Sequence, residues 1–217
     1  MTSPTPQHEQ PDQLDDEDFF RWYGDWEPLT PSTIGAFMAG FDRPWWVIGG
    51  WAVEVFTGVA REHDDLDVSI FAHDAEAFRL FLGDRWTPWN ADSSWLRPFD
   101  ARFPDIDPES QLWVREHSGA PWVLDMPLTL ATDGLWTNKR FHDHVAPLDE
   151  VTWVADDGLR YLRPEVSLMM KARLDRPKDR ADLAVALPLL DDAARSWLWA
   201  MVERAHPGHP WLAAYAG

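Results

Sequence analysis

A chain of 217 residues with a formal charge of −18 can bury a sizeable core as one domain, or one domain with an appendage. Its field repels phosphate backbones and attracts cations, which disfavours nucleic acid as a partner, and no Lys/Arg run supplies a local exception. With no cysteine, disulfides and thiolate zinc sites are excluded. No apolar run approaches twenty residues, so no membrane span is predicted and a cytoplasmic location is the expectation.

The opening text, "MTSPTPQHEQPDQLDDEDFF", is polar and acidic. It lacks the basic start and apolar core of a signal peptide, and residues 1–18 are predicted to be a disordered tail. From Pro31 to Phe41, Ile34, Phe37, Met38 and Phe41 recur at helical spacing, with Ser32 or Thr33 as the cap. "PWWVIGG", Pro44 to Gly50, reads as a short strand ending in a turn. "WAVEVFTGV" follows as a helix stopped near Gly58. Leu66 to Phe71 alternates, with Leu66, Val68 and Ile70 on one face and Asp67 and Ser69 on the other. "HDAEAFRLFLGDR" is an amphipathic helix with Phe78, Phe81 and Leu82 inward. "QLWVREH" and "WVLDMPL" are strands of a hairpin around "SGAP". Val151 to Leu162 is a second hairpin, turning at Asp157-Gly158. The stretches between Trp86 and Glu109 and between Thr132 and Asp149 are loop-rich and are assigned no element. After Pro164, a first-turn proline, three helices follow. The first of them places Val166, Met169, Met170 and Leu174 on one side. The predicted class is α+β, a mixed sheet with flanking helices followed by a helical C-terminal part.

The chemistry concentrates in "VIGGWAVEVFTGVAREHDDLDVSIF", Val47 to Phe71. Residues two apart on a strand point the same way, so Asp65 and Asp67 project together. Their like charges raise each other's pKa, and a divalent cation between them removes that penalty. Oxygen ligands with few protein contacts suit Mg²⁺. Asp125, alone in the apolar run "WVLDMPL", needs a partner because an unpaired buried carboxylate costs several kcal/mol. Three carboxylates on adjacent strands would form a site for phosphoryl or nucleotidyl transfer. The Gly-Gly turn between strand and helix lets backbone approach a ligand and exposes amides at a helix N-terminus. It is neither the dinucleotide fingerprint nor a Walker loop.

Gly49-Gly50 with Ala52, then Arg61, His63, Asp65 and Asp67, then a lone Asp on a later strand, resembles the DNA polymerase β-like nucleotidyltransferase superfamily. Within it, the text is similar to the aminoglycoside 2''-adenylyltransferase and lincosamide nucleotidyltransferase families. "RPEVSLMMKARLDRPKDRADL" also resembles a C-terminal segment of those enzymes. The resemblance spans roughly residues 46–187. It implies a nucleotidyltransferase domain over 19–163 and a helical subdomain over 164–217. It implies that Asp65, Asp67 and Asp125 bind Mg²⁺, with Asp125 also acting on the acceptor hydroxyl. Gly49 and Gly50 would cradle the phosphates of a nucleoside triphosphate, ATP by analogy, and Arg61, His63 and Lys171 would contact phosphate or pyrophosphate. Lys178, Asp179 and Asp182 would order the helices. One departure is Trp51, where the superfamily's turn usually offers a serine.

The expected activity is Mg²⁺-dependent transfer of a nucleoside monophosphate to a hydroxyl of a small molecule, an aminoglycoside-like polycation being favoured by the acidic surface. Two rivals stand beside it. One is a toxin–antitoxin-type enzyme modifying a protein or tRNA. The other is a non-catalytic nucleotide-binding relic. His142 and His144 are read as loop residues rather than metal ligands, and the oligomeric state is not set by the sequence.

Overall fold

The computed structural model describes residues 23–92 and 95–214. The predicted tail over 1–18 lies outside the described residues. An eight-stranded mixed sheet runs in the order β10-β11-β1-β2-β6-β5-β3-β4. Its strands are β1 (Trp45–Val47), β2 (Val68–Phe71), β3 (Thr87–Asp92), β4 (Trp95–Pro98), β5 (Gln111–Arg115), β6 (Leu124–Thr129), β10 (Thr152–Val154) and β11 (Arg160–Leu162). A small three-stranded sheet comprises β7 (Ala131–Thr132), β8 (Leu135–Thr137) and β9 (Val145–Ala146).

The helices are α1 (Pro31–Phe37), α2 (Gly49–Thr57), α3 (Ala75–Leu82), the single turn α4 (Leu148–Val151), α5 (Pro164–Lys171), α6 (Pro177–Ala186) and α7 (Asp192–Ala205). α1 and α3 share one apolar core with Val47, Val68, Ile70, Leu112, Val114 and Leu124 of the sheet. α5, α6 and α7 share a second with Trp46, Val53, Phe71 and Leu162. Both faces of β2 are therefore covered. Ser69, on the Asp67 face, is buried, and its hydroxyl lies 2.6 Å from the Pro127 carbonyl and 2.7 Å from Thr129 Oγ1.

Several predicted elements are found with corrected details. α1 is capped by Thr30, not Ser32 or Thr33, and the Thr30 amide donates to Thr33 Oγ1 at 2.9 Å. α2 ends at Gly58, whose φ of 69° lies in the left-handed region that glycine favours. α5 closes at Lys171, so Leu174 leaves the helical face and is exposed, while Val166 and Met169 stay buried. The loop-rich stretch from Trp86 to Glu109 contains the β3–β4 hairpin; β3 pairs with β5 from Thr87↔Arg115 to Ala91↔Gln111. Pro88, Asn90 and Asp92 conceal a strand that tertiary pairing creates. The 132–149 stretch likewise carries β8, β9 and α4.

Phe78 in α3 is fully buried and meets Phe41 edge-on at 5.5 Å. Phe78→Ala is expected to lower stability by about 3–5 kcal/mol, since burial is lost and a cavity remains. Chemical denaturation checks this; a loss below about 1 kcal/mol would show that the core closes over the gap.

Candidate active site

Strand direction brings the acidic residues together. β1 and β2 are antiparallel, while β2 and β6 are parallel. The end of β1, the start of β2 and the start of β6 therefore share one edge of the sheet. Gly49 follows the first, and Asp67 and Asp125 sit at the other two. Asp67 and Asp125 face each other across a parallel bridge. The Ile48 amide donates to the Asp67 carbonyl at 3.0 Å, and the Asp125 amide to the Leu66 carbonyl at 3.3 Å. Carboxylate oxygens of Asp65, Asp67 and Asp125 lie within 4.8 Å of one another.

This convergence is electrostatically costly for the protein alone. Burial pushes Asp67 up to about 7, with Asp65 adding to the effect and Lys171 opposing it. Asp125 is held well above the usual carboxylate range by burial first, then by Asp67 and Asp65. Asp125 Oδ1 is buried with no hydrogen-bond partner among the described residues, and such an oxygen gains most from a ligand. An all-oxygen set of three carboxylates matches a hard divalent cation such as Mg²⁺.

The two glycines make room for this site. Gly49 has φ +70°, and a Cβ there would stand 2.3 Å from Asp67 Oδ2. A Cβ on Gly50 would stand 1.8 Å from Arg61 Nη2. The N-terminus of α2 thus carries a carboxylate on one glycine and a guanidinium on the next. Its free amides and positive dipole end point to the same place.

Around this turn the structure places the other candidates. Arg61 donates through Nε to Asp182 Oδ1 at 2.9 Å. Lys171 Nζ lies 2.9 Å from Asp182 Oδ2 and 3.4 Å from Asp179 Oδ1. Both cations are therefore seated on carboxylates of α6. Lys178 reaches Asp64 Oδ2 at 2.8 Å, tying α6 to the acidic motif. His63 is enclosed, its side chain 5 % exposed and 2.8 Å from Glu54 Oε2. Burial lowers its pKa, with Glu54 partly restoring it. The resemblance implies a phosphate contact for this ring; in the structure its Nε2 faces Glu54.

The contacts of two neighbours escaped the sequence reading. Trp51 stacks on His63 at 3.9 Å and donates its indole N–H to the Asp65 carbonyl at 3.1 Å. Where a serine would offer a hydroxyl, this indole braces the loop that carries Asp65. Glu54 accepts from both the Arg61 amide (2.9 Å) and His63. Its signal was a lone carboxylate in the otherwise apolar helix "WAVEVF". His142 pairs with Glu109 at 3.0 Å, and His144 Nδ1 lies 3.3 Å from Asn138 Nδ2.

With this geometry in place, similarity to known proteins becomes informative. Residues 32–112 match the aminoglycoside-2''-adenylyltransferase family model. No curated protein matches the chain. The lincomycin-bound crystal structure of the lincosamide antibiotic adenylyltransferase LnuA superposes with a TM-score of 0.51 at 19% identity, covering 73% of this chain and 95% of that one. The crystal structure of ANT(2'')-Ia in complex with adenylyl-2''-tobramycin superposes with a TM-score of 0.50 at 18% identity, covering 80% and 95%. At such identities the likeness is one of fold, a mixed sheet with flanking helices and a helical C-terminal part. The chain thus shares its fold with these two adenylyltransferases, its residues 32–112 follow the pattern of the aminoglycoside-2''-adenylyltransferases, and that fold carries the carboxylate cluster of Asp65, Asp67 and Asp125.

Proposed function

We propose that the protein transfers a nucleoside monophosphate from a nucleoside triphosphate, ATP by analogy, to a hydroxyl of a small, polycationic acceptor of the aminoglycoside kind. The observation that carries this reading is the meeting of Asp65, Asp67 and Asp125 within 4.8 Å beside the N-terminus of α2. These three side chains would hold Mg²⁺, which when bound neutralises phosphate charge and polarises the reacting phosphorus. The α2 amides at Gly49 and Gly50 receive phosphate oxygens, and the glycines permit the close approach. The acceptor oxygen attacks the α-phosphorus, the bond to the β-phosphate breaks, and pyrophosphate leaves. The hydroxyl proton passes to Asp125, whose Oδ1 has no hydrogen-bond partner among the described residues.

The acceptor class rests on two supports. The net charge of −18 concentrates cations at the surface. The solved neighbours are a lincomycin-bound enzyme and one carrying adenylyl-2''-tobramycin. Incubation with α-labelled ATP, GTP, CTP or UTP, with and without Mg²⁺, against a panel of aminoglycosides and lincosamides tests the reading. Label should move to an aminoglycoside, only with Mg²⁺. Label arriving solely on RNA or protein would replace the acceptor by a macromolecule, and no transfer of any label would refute catalysis.

A further inference from the structure

Beneath the carboxylate site, five ionic side chains alternate in sign: Arg61, Asp182, Lys171, Asp179 and Arg176. Asp182 receives Arg61 at 2.9 Å and 3.3 Å and Lys171 at 2.9 Å. Asp179 receives Lys171 at 3.4 Å and Arg176 through a bidentate pair at 2.9 Å and 3.1 Å. Both carboxylates are buried, Asp179 completely and Asp182 to within 3 %.

Each carboxylate is thus shared between two cations, and the chain retains one positive charge: three cations against two anions. A buried pair whose task is only to hold helices together has no need of the surplus, and apolar side chains would do as well. The donors are also incompletely used. Lys171 has three N–H groups and spends two on Asp179 and Asp182. Arg61 has five; one goes to the Glu62 carbonyl and two to Asp182. The remaining ones belong to groups that border the site. Arg61 Nη2 lies over Gly50, where an added Cβ would meet it at 1.8 Å, at the start of α2. Among cations, Lys171 exerts the largest effect on Asp67. Lys171 and Arg61 come from a helix end and a loop far apart in the sequence, and among the described residues Asp182 binds both.

We propose that Asp182 is a positioning residue for the nucleotide: its single carboxylate seats Arg61 and Lys171 side by side, so that their unspent N–H groups receive the β- and γ-phosphates. The proposal rests on the nucleotidyltransferase reading and adds a residue to it. Asp182 touches no substrate and works through the two cations, which a neutral amide would hold less firmly.

The test compares Mg²⁺-ATP with AMP by calorimetry, using wild-type protein, Asp182→Asn and Asp182→Glu, with thermal melts as a folding control. Asp182→Asn should bind ATP roughly ten- to a hundredfold more weakly, the scale of one or two charge-assisted hydrogen bonds. AMP binding should be nearly unchanged, and Asp182→Glu should recover part of the loss. A purely structural Asp182 would weaken both ligands together or neither. Folded Asp182→Asn with wild-type ATP affinity, or with equal losses for ATP and AMP, overturns the proposal. Should Asp182→Asn fail to fold, Arg61→Gln and Lys171→Gln decide it: each must weaken ATP relative to AMP, and absence of that difference overturns it. Wild-type protein that binds none of the four triphosphates with Mg²⁺ would instead remove the nucleotidyltransferase reading, and this inference with it.

Discussion

Asp67→Asn is expected to abolish nucleotidyl transfer while raising the melting temperature of the metal-free protein. The two effects share one cause. Asp67 is partly buried beside Asp65 and Asp125, and its pKa is pushed up to about 7. A carboxyl whose folded pKa exceeds its unfolded value stabilises the fold fully only below the unfolded value. That contribution is lost as pH rises from about 4 through about 7. Metal-free wild-type protein should therefore melt progressively lower across that window, and Asp67→Asn, which carries no charge there, should melt higher at pH 8. Mg²⁺ should reverse the order, because it binds the folded wild type and stabilises it by mass action. Transfer should fall by about 10³-fold or more, the scale of removing preorganised stabilisation of transition-state charge. Melting curves from pH 5 to 8 with and without Mg²⁺, together with turnover, check all three statements. A well-folded Asp67→Asn protein that still turns over would remove the metal role, and a wild-type melt indifferent to Mg²⁺ would remove the site.

Much of this site was legible because its signals are local. Gly49-Gly50, Arg61, His63, Asp65 and Asp67 fall within twenty residues, and alternation predicted that the last two project together, as they do from a loop residue and a bridge residue just ahead of β2. Asp125 was legible for a different reason: a lone carboxylate in an apolar run requires a partner, and the register of β2 against β6 supplies it. Features set by tertiary pairing were hidden. β3 carries Pro88 and three polar or acidic residues, so its strand character exists only against β5. Leu174 follows the helical spacing of α5 yet is exposed, because the helix closes at Lys171 and Asp175 adopts φ 48°. Asp182 was marked only by the resemblance of its segment, which implied that it orders the helices. Its meaning lies in contacts with a loop and a helix end that only the packed chain brings to it. His63 is a mixed case: its place in the motif suggests phosphate, while its stacking on Trp51 and its contact with Glu54 are set by the packed chain.

Gly49→Ala is expected to disable the enzyme almost as thoroughly as loss of a carboxylate, although no functional group is removed. Two costs coincide at this position. The backbone has φ +70°, where an alanine is strained by about 1–2 kcal/mol. The added methyl would stand 2.3 Å from Asp67 Oδ2 and 3.2 Å from its Cγ, closer than atoms can approach. Asp67 is confined by β1 and β6 on either side, so its carboxylate must rotate away or the first turn of α2 must shift. Either movement separates the Asp67 oxygens from those of Asp65 and Asp125, and misplacement of about 1 Å at a reacting centre costs on the order of a hundredfold. Turnover should therefore fall about 10²-fold or more, with a loss of stability of about 1–3 kcal/mol. Gly58→Ala provides the comparison. Gly58 has a similar φ of +69°, yet an added Cβ there meets nothing within 4 Å. It should show the backbone strain in its melting temperature and leave transfer intact, because the strain lies at the far end of α2 from the carboxylates. Equal turnover losses in the two variants would mean that helix integrity, not the approach of Asp67 to Gly49, sets the activity.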